Sequence, residues 1–124
     1  MKKAVLIVCL SILACAACGK KAEETAVMDN PFFSEFATPF GVPAFDRIKP
    51  EHYMPAFDRG MAEQKKEVEV ITSNPEPLTF ANTVEALERS GALLNKVAGV
   101  FNNMTSSNTN EELQKIDKEL APKL

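Results

Sequence analysis

Apolar side chains recur every three or four residues along most of the chain after Pro50, which is the spacing of helices that bury one face. The first such helix should begin at Pro50, because proline fits the first helical position and Glu51 beside it favours the positive end of the helix dipole. Pro55 leaves two alternatives open, a kink in the first turn or a helix that begins there. The helix should end near Ser73, because prolines follow closely after it. Its apolar face consists of Tyr53, Phe57, Met61, Val68 and Ile71, with Gln64 between them.

Two further helices are predicted by capping signals followed by apolar stripes. Asn82 can cap the second helix, with Glu85 closing a capping box, and Thr109 with Glu112 offers the same arrangement for the third. Gly91 lies within the second helix, where glycine costs ~1 kcal/mol relative to alanine, so we expect a close helix contact there. The apolar face of the second helix consists of Val84, Leu87, Gly91, Leu94, Val97, Ala98, Phe101 and Met104, and that of the third consists of Leu113, Ile116 and Leu120.

No stretch alternates apolar and polar residues as a half-buried strand does, so the pattern predicts an all-α fold of antiparallel helices. Residues 30–50 differ from the rest, because they contain four prolines and five phenylalanines. Proline interrupts a regular helix, and exposed aromatic rings are costly in water. We therefore expect an extended segment that lies across an apolar surface larger than it can make itself.

Residues 1–17 have the order of a bacterial export signal, with two lysines, an apolar run and small residues at its end. The run is shorter than the ~20 residues of a bilayer-spanning helix. Cys18 follows two alanines and precedes a glycine, which resembles the lipobox of bacterial lipoproteins, in which the cysteine sulfur carries diacylglycerol. Cys15 is the alternative lipid site, and a further alternative is a cleaved signal whose cysteines carry no lipid.

The lipobox at Cys18 predicts an exported lipoprotein anchored to a membrane of the bacterial cell envelope, because several acyl chains together give stable attachment. Residues 18–30 are polar and charged without a helical stripe, so they predict a tether between the membrane and the body. Residues 31–124 then form the helical region.

Composition and missing motifs limit the chemistry that the chain can perform. The formal net charge is -3, which does not favour a nucleic-acid partner. No cysteine lies beyond position 18, so the body is not stapled by disulfides. His52 is the single histidine, and neither a His-Glu-x-x-His zinc helix nor a Gly-x-Ser-x-Gly elbow is present. We predict no catalytic residue and no metal ligand in these 124 residues.

Several segments resemble the opening of the thimet oligopeptidase family of zinc peptidases. They are Asn30-Pro31-Phe32 and the stretches FDRIKPEHY at 45–53 and PAFDRGM at 55–61. The stretch FANTVEALERSGALL at 80–94, the pairs at 100–101 and 104–105, and TNEELQ at 109–114 are similar to its bacterial peptidyl-dipeptidase branch. The resemblance extends from about residue 30 to residue 124.

This resemblance implies a large helical zinc peptidase with a deep channel that hydrolyses short peptides and releases dipeptides from their C-termini. It further implies that zinc is held by a His-Glu-x-x-His helix and a later glutamate, none of which lies in this chain, so no catalytic or metal residue is carried over. We expect residues 31–124 to be the N-terminal helical region, truncated before the catalytic domain and inactive alone. The alternative is a non-catalytic helical lipoprotein that binds peptides or a protein partner.

Overall fold

The computed structural model describes residues 29–124, and the regular structure in this range is entirely helical, which confirms the all-α prediction. The predicted export signal lies outside the described residues, as does the tether except for its last two residues. Residues 31–124 form one compact unit. Its elements are two short 3-10 turns (Pro31–Phe33 and Pro39–Gly41), α1 (Pro50–Thr72), a π-helical turn (Phe80–Glu85) that continues into α2 (Ala86–Arg89), α3 (Ala92–Ser107) and α4 (Glu111–Leu120).

Helix α1 begins at Pro50, as predicted, and runs unbroken through Pro55. The alternative start at Pro55 is therefore wrong. A proline one turn inside a helix removes a single backbone hydrogen bond, and here the helix tolerates that loss. At the other end, the Ser73 backbone N–H donates to the Glu69 carbonyl at 3.0 Å and closes the helix where the sequence predicted its end.

Aromatic rings from three parts of the chain form the centre of the core. The ring of Tyr53 in α1 lies 5.1 Å from that of Phe101 in α3, and the Phe57 ring meets Phe101 edge to face at 5.5 Å. Phe32 of the first 3-10 turn lies 5.5 Å from Tyr53 and is 1% exposed. This part of residues 30–50, the Phe-rich segment, therefore packs on an apolar surface as predicted. The other buried apolar residues are Ala56, Val97, Val100, Leu113, Ile116 and Leu120.

Helices α1 and α3 are in close backbone contact at Gly60. A Cβ atom added to this glycine would lie 2.9 Å from the Cα of Leu94, so only glycine permits the contact. Along α1, the positions of Tyr53 and Gly60 meet α3 at progressively earlier residues, Phe101 and then Leu94. The two helices are therefore antiparallel, in agreement with the prediction.

The predicted second helix is in fact two helices, because the chain breaks at Gly91. This residue adopts a left-handed backbone with φ +72°, which glycine reaches without a steric penalty. Its backbone N–H donates to the Glu67 carboxylate of α1 at 2.7 Å. The expectation of Gly91 inside a continuous helix is wrong, since a tertiary hydrogen bond and the turn replace the helical bond at this point. A close contact does occur there, because an added Cβ would lie 2.7 Å from the Gln64 side chain.

Both predicted helix starts after α1 are displaced by one to three residues. The reciprocal cap of the π-helical turn joins Thr79 and Asn82, whose side chains accept from each other's backbone N–H at 3.1 and 2.8 Å. Helix α4 is capped by Asn110, which accepts from the Leu113 N–H at 2.9 Å, rather than by Thr109. Several side chains near each helix start can accept a hydrogen bond from a backbone N–H one turn later. Their spacing in the sequence does not show which of them becomes the cap.

We predict that Gly60→Ala destabilises the chain by about 1–3 kcal/mol, because the added methyl group forces α1 away from the Leu94 backbone. Gly99→Ala is the matched control, since a Cβ at this helical position meets no atom within 4 Å. The control should stabilise the chain by about 1 kcal/mol through helix propensity. Urea unfolding followed by circular dichroism measures both changes, and equal effects of the two substitutions would contradict the close contact.

Candidate docking surface

The His52 side chain caps the first turn of α1. It is 8% exposed, and its Nδ1 accepts a hydrogen bond from the Lys49 backbone N–H at 3.1 Å. This contact satisfies one of the backbone donors that a helix start leaves unpaired. Among residues 29–124, no group of three His, Cys, Asp or Glu side chains could hold a metal ion.

The predicted lipid site at Cys18 and its alternative at Cys15 lie outside the described residues, so the structure does not address them. Within residues 29–124, no helix has both the length and the apolar character that crossing a bilayer requires. The anchor therefore remains a prediction from the sequence.

Lys96 of α3 forms hydrogen bonds that join the Phe-rich segment to the helices. Its ammonium group donates to the carbonyls of Phe32 at 3.2 Å and Ser34 at 2.5 Å, and it lies 4.0 Å from the centre of the Phe36 ring. Burial lowers the pKa of Lys96 below its ordinary value, and the nearby Glu35 carboxylate opposes this change. The contacts satisfy carbonyls in a segment that has no regular hydrogen-bond ladder.

The π-helical turn and α2 present a row of apolar side chains to solvent. Phe80, Val84 and Leu87 are 68%, 50% and 55% exposed, and their spacing of four and three residues places them on one helical face. Leu78, just before the turn, is 82% exposed. We call Phe80, Val84 and Leu87 the α2 face. The expectation that Val84 and Leu87 belong to the same buried stripe as α3 is wrong, because the break at Gly91 changes the helical register.

A groove of about 280 Å³ lies between the second half of α1 and α2. Its lining is part apolar and part charged, and Val70 in it is 70% exposed. Its lining residues are Glu67, Val70, Ile71, Ala86, Arg89 and Ser90. None of the three residues of the α2 face is among these lining residues.

The loop around Phe40 presents a second exposed apolar site. Phe40 is fully exposed and has a left-handed backbone with φ +61°, which is unusual for an aromatic residue. The Thr38 hydroxyl donates to the Val42 carbonyl and closes the loop around it. Phe45 is also 43% exposed. Phe40 therefore does not pack on this body, in contrast to Phe32, whereas Ile48 later in the segment packs against the core.

Comparison with known proteins shows which peptidases the chain is similar to. Dipeptidyl carboxypeptidases of Salmonella typhimurium strain LT2 and Escherichia coli strain K12 are 45% and 44% identical to the chain over 95 residues, or 77% of it. Oligopeptidase A of the same Salmonella strain is 27% identical over 97 residues. The chain belongs to the thimet oligopeptidase family. The chain spans 14% of the length of these relatives. No protein-family model matches the sequence.

Residues 29–124 thus present exposed apolar side chains and no group of side chains that could hold a metal ion. The sequence analysis placed Val84 and Leu87 in one apolar stripe with the residues of α3 and did not include Phe80. Helical periodicity shows that residues share a face, whereas it carries no information about which surface covers that face. In the sequence, only the flanking Pro39 and Gly41 distinguish the exposed Phe40 from the other phenylalanines of the segment.

We predict that Lys96→Met destabilises the chain by about 1–2 kcal/mol, because two carbonyl acceptors lose a charged donor while the aliphatic packing is kept. Lys115→Met on the exposed side of α4 is the control and should change stability by less than about 0.5 kcal/mol. Urea unfolding measures both variants. Equal free energies of unfolding for the two variants would show that the hydrogen bonds of Lys96 to the Phe-rich segment do not stabilise the chain.

Proposed function

We propose that the chain is the N-terminal region of a zinc-dependent peptidyl-dipeptidase, which releases dipeptides from the C-termini of short peptides. The observation that carries this proposal is the 45% identity to a dipeptidyl carboxypeptidase over 77% of the chain. Identity to oligopeptidase A is 27%, which favours the peptidyl-dipeptidase branch. Since the chain spans 14% of these relatives, the activity belongs to a longer protein.

The residues described here do not supply a zinc site, and no step of hydrolysis is assigned to them. In this proposal the metal and its ligands lie in the later part of the longer protein. The role of residues 31–124 is structural, as a helical body that contributes to the wall of a peptide channel. Its exposed apolar surface, the α2 face, supports this role because groups of exposed apolar side chains are typical of interaction surfaces.

We further propose that the mature protein is a lipoprotein anchored to a bacterial envelope membrane through Cys18. This part of the proposal rests on the export signal and the lipobox in the sequence. Residues 18–30 would then separate the membrane from the helical body and give it freedom to orient.

The product of the complete reading frame should release a dipeptide from an N-acetylated tetrapeptide with a free carboxyl end and leave the C-terminal amide of the same peptide intact. A chelator should abolish this activity and added zinc should restore it. Mass spectrometry of the products identifies the bond cleaved. Internal cleavage of both peptides would contradict the assignment to the dipeptidase branch, and a lack of metal-dependent hydrolysis would favour the non-catalytic lipoprotein.

Lipidation at Cys18 predicts that a bacterial host fed an alkyne fatty acid labels the wild-type chain and the Cys15→Ser variant but not the Cys18→Ser variant. The thioether needs the sulfur of the modified cysteine, and no other side chain supplies it. Fluorescent detection of the alkyne on a gel measures the label. Label that is lost with Cys15→Ser and kept with Cys18→Ser would move the anchor to Cys15, and label absent from all three chains would exclude the lipoprotein.

A further inference from the structure

The Phe40 loop, residues 36–45, exposes apolar side chains and carries no charge. Phe40 is fully exposed, and Val42 and Phe45 are 49% and 43% exposed. No charged residue lies within this stretch of the sequence. A single exposed apolar side chain is ordinary in soluble proteins, whereas several together without a charge among them are typical of an interaction surface.

Hydrogen bonds within the loop hold Phe40 in its exposed position. The backbone N–H of Gly41 donates to the Thr38 carbonyl at 3.1 Å, and that of Val42 donates to the Pro39 carbonyl at 3.4 Å. The Thr38 hydroxyl also donates to the Val42 carbonyl. Phe40 itself has a left-handed backbone, which a residue with a Cβ atom adopts only where its surroundings impose it. The loop therefore presents the aromatic ring to solvent in a defined position.

The small size of the exposed loop favours a lipid surface over a protein as its partner. A stable protein interface buries about 800 Å² on each partner, and its aromatic anchors fill matching pockets. The Phe40 loop offers three exposed apolar side chains on one short segment, which is a small area for such an interface. A lipid surface adapts to the shape that enters it, and phenylalanine side chains insert at the boundary between headgroups and acyl chains.

The proposed lipid anchor keeps the Phe40 loop within reach of a membrane. Residues 18–30 join Cys18 to the body, and a chain of this length spans at most roughly 40 Å when it is fully extended. Pro31 and Phe32, where the body begins, are buried, so the loop follows shortly after the point at which the chain becomes fixed. Attachment makes the contact between loop and membrane an intramolecular event, for which a weak interaction is sufficient.

We propose that the Phe40 loop inserts into the lipid surface to which Cys18 anchors the chain. This inference rests on the lipid anchor of the proposed function. The acyl chains on Cys18 hold the protein at the membrane, and the Phe40 ring forms a second contact among the phospholipid headgroups and the first acyl carbons. Two contacts restrict the rotation that the tether alone leaves free, so the body turns one side toward the membrane.

Photo-crosslinking tests the insertion, because it identifies the molecule that lies against a chosen side chain. Benzoylphenylalanine replaces Phe40 in one variant and Phe80, which is 68% exposed on the α2 face, in a matched control. Phe40 is fully exposed, so a larger aromatic side chain at this position leaves the core unchanged. Each variant is made as the 124-residue chain and as the product of the complete reading frame, and both are reconstituted in vesicles of phosphatidylethanolamine and phosphatidylglycerol. Mass spectrometry then measures phospholipid and protein adducts at the substituted position.

The insertion predicts that phospholipid adducts at position 40 are at least about tenfold more abundant than those at position 80 in proteins of both lengths. Adducts of position 40 with later residues of the long protein, or with a second copy of the chain, would overturn the insertion. Equal amounts of phospholipid adduct at the two positions would overturn it as well.

Alkyne fatty-acid labelling of the same preparations separates this inference from the anchor on which it rests. Label at Cys18 without phospholipid adducts at position 40 would refute the insertion and keep the anchor. Phospholipid adducts at position 40 without label would refute the anchor and keep the contact between the loop and lipid. The absence of both would refute both.

Discussion

The close approach of α1 and α3 at Gly60 determines the arrangement of the described body. Because Gly60 has no side chain, the α1 backbone lies against Leu94, and the aromatic rings farther along the helices meet at 5.1 to 5.5 Å. Phe32 and the buried face of α4 then complete the core around these rings. A wider separation of the two helices would leave gaps around Phe101, which close-packed interiors do not tolerate without loss of stability.

The same packing explains why half of α1 is buried and half is not. Helix α1 is 23 residues long, and its buried residues extend only from His52 to Gly60. Beyond this point the chain turns at Gly91, so α2 leaves the line of α3 and its apolar residues point away from the core. The body is thus well packed at one end and presents apolar surface at the other. In the proposed function, a neighbouring part of the longer protein covers this apolar surface.

The elements that were predicted correctly depend on local signals. Pro50 and the proline-rich stretch after Ser73 define α1, and the spacing of Leu113, Ile116 and Leu120 identifies the buried face of α4. The break at Gly91 was not predictable, because it depends on Glu67, a residue 24 positions earlier that captures the glycine amide. For the same reason, periodicity grouped Leu87 with the core, and composition did not distinguish the buried Phe32 from the exposed Phe40. Family resemblance, unlike periodicity, predicted correctly the similarity to bacterial peptidyl-dipeptidases.

Membership of the thimet oligopeptidase family and the exposed apolar faces lead to one account, in which this body is the start of a longer peptidase. Its polar groups serve the fold itself: His52 completes the start of α1, and Lys96 holds the Phe-rich segment. The most direct test of this account is to sequence the source DNA beyond the codon for Leu124. The account predicts an open frame that continues in phase and encodes a His-Glu-x-x-His motif. An authentic stop codon after Leu124, with no such frame following it, would contradict the account.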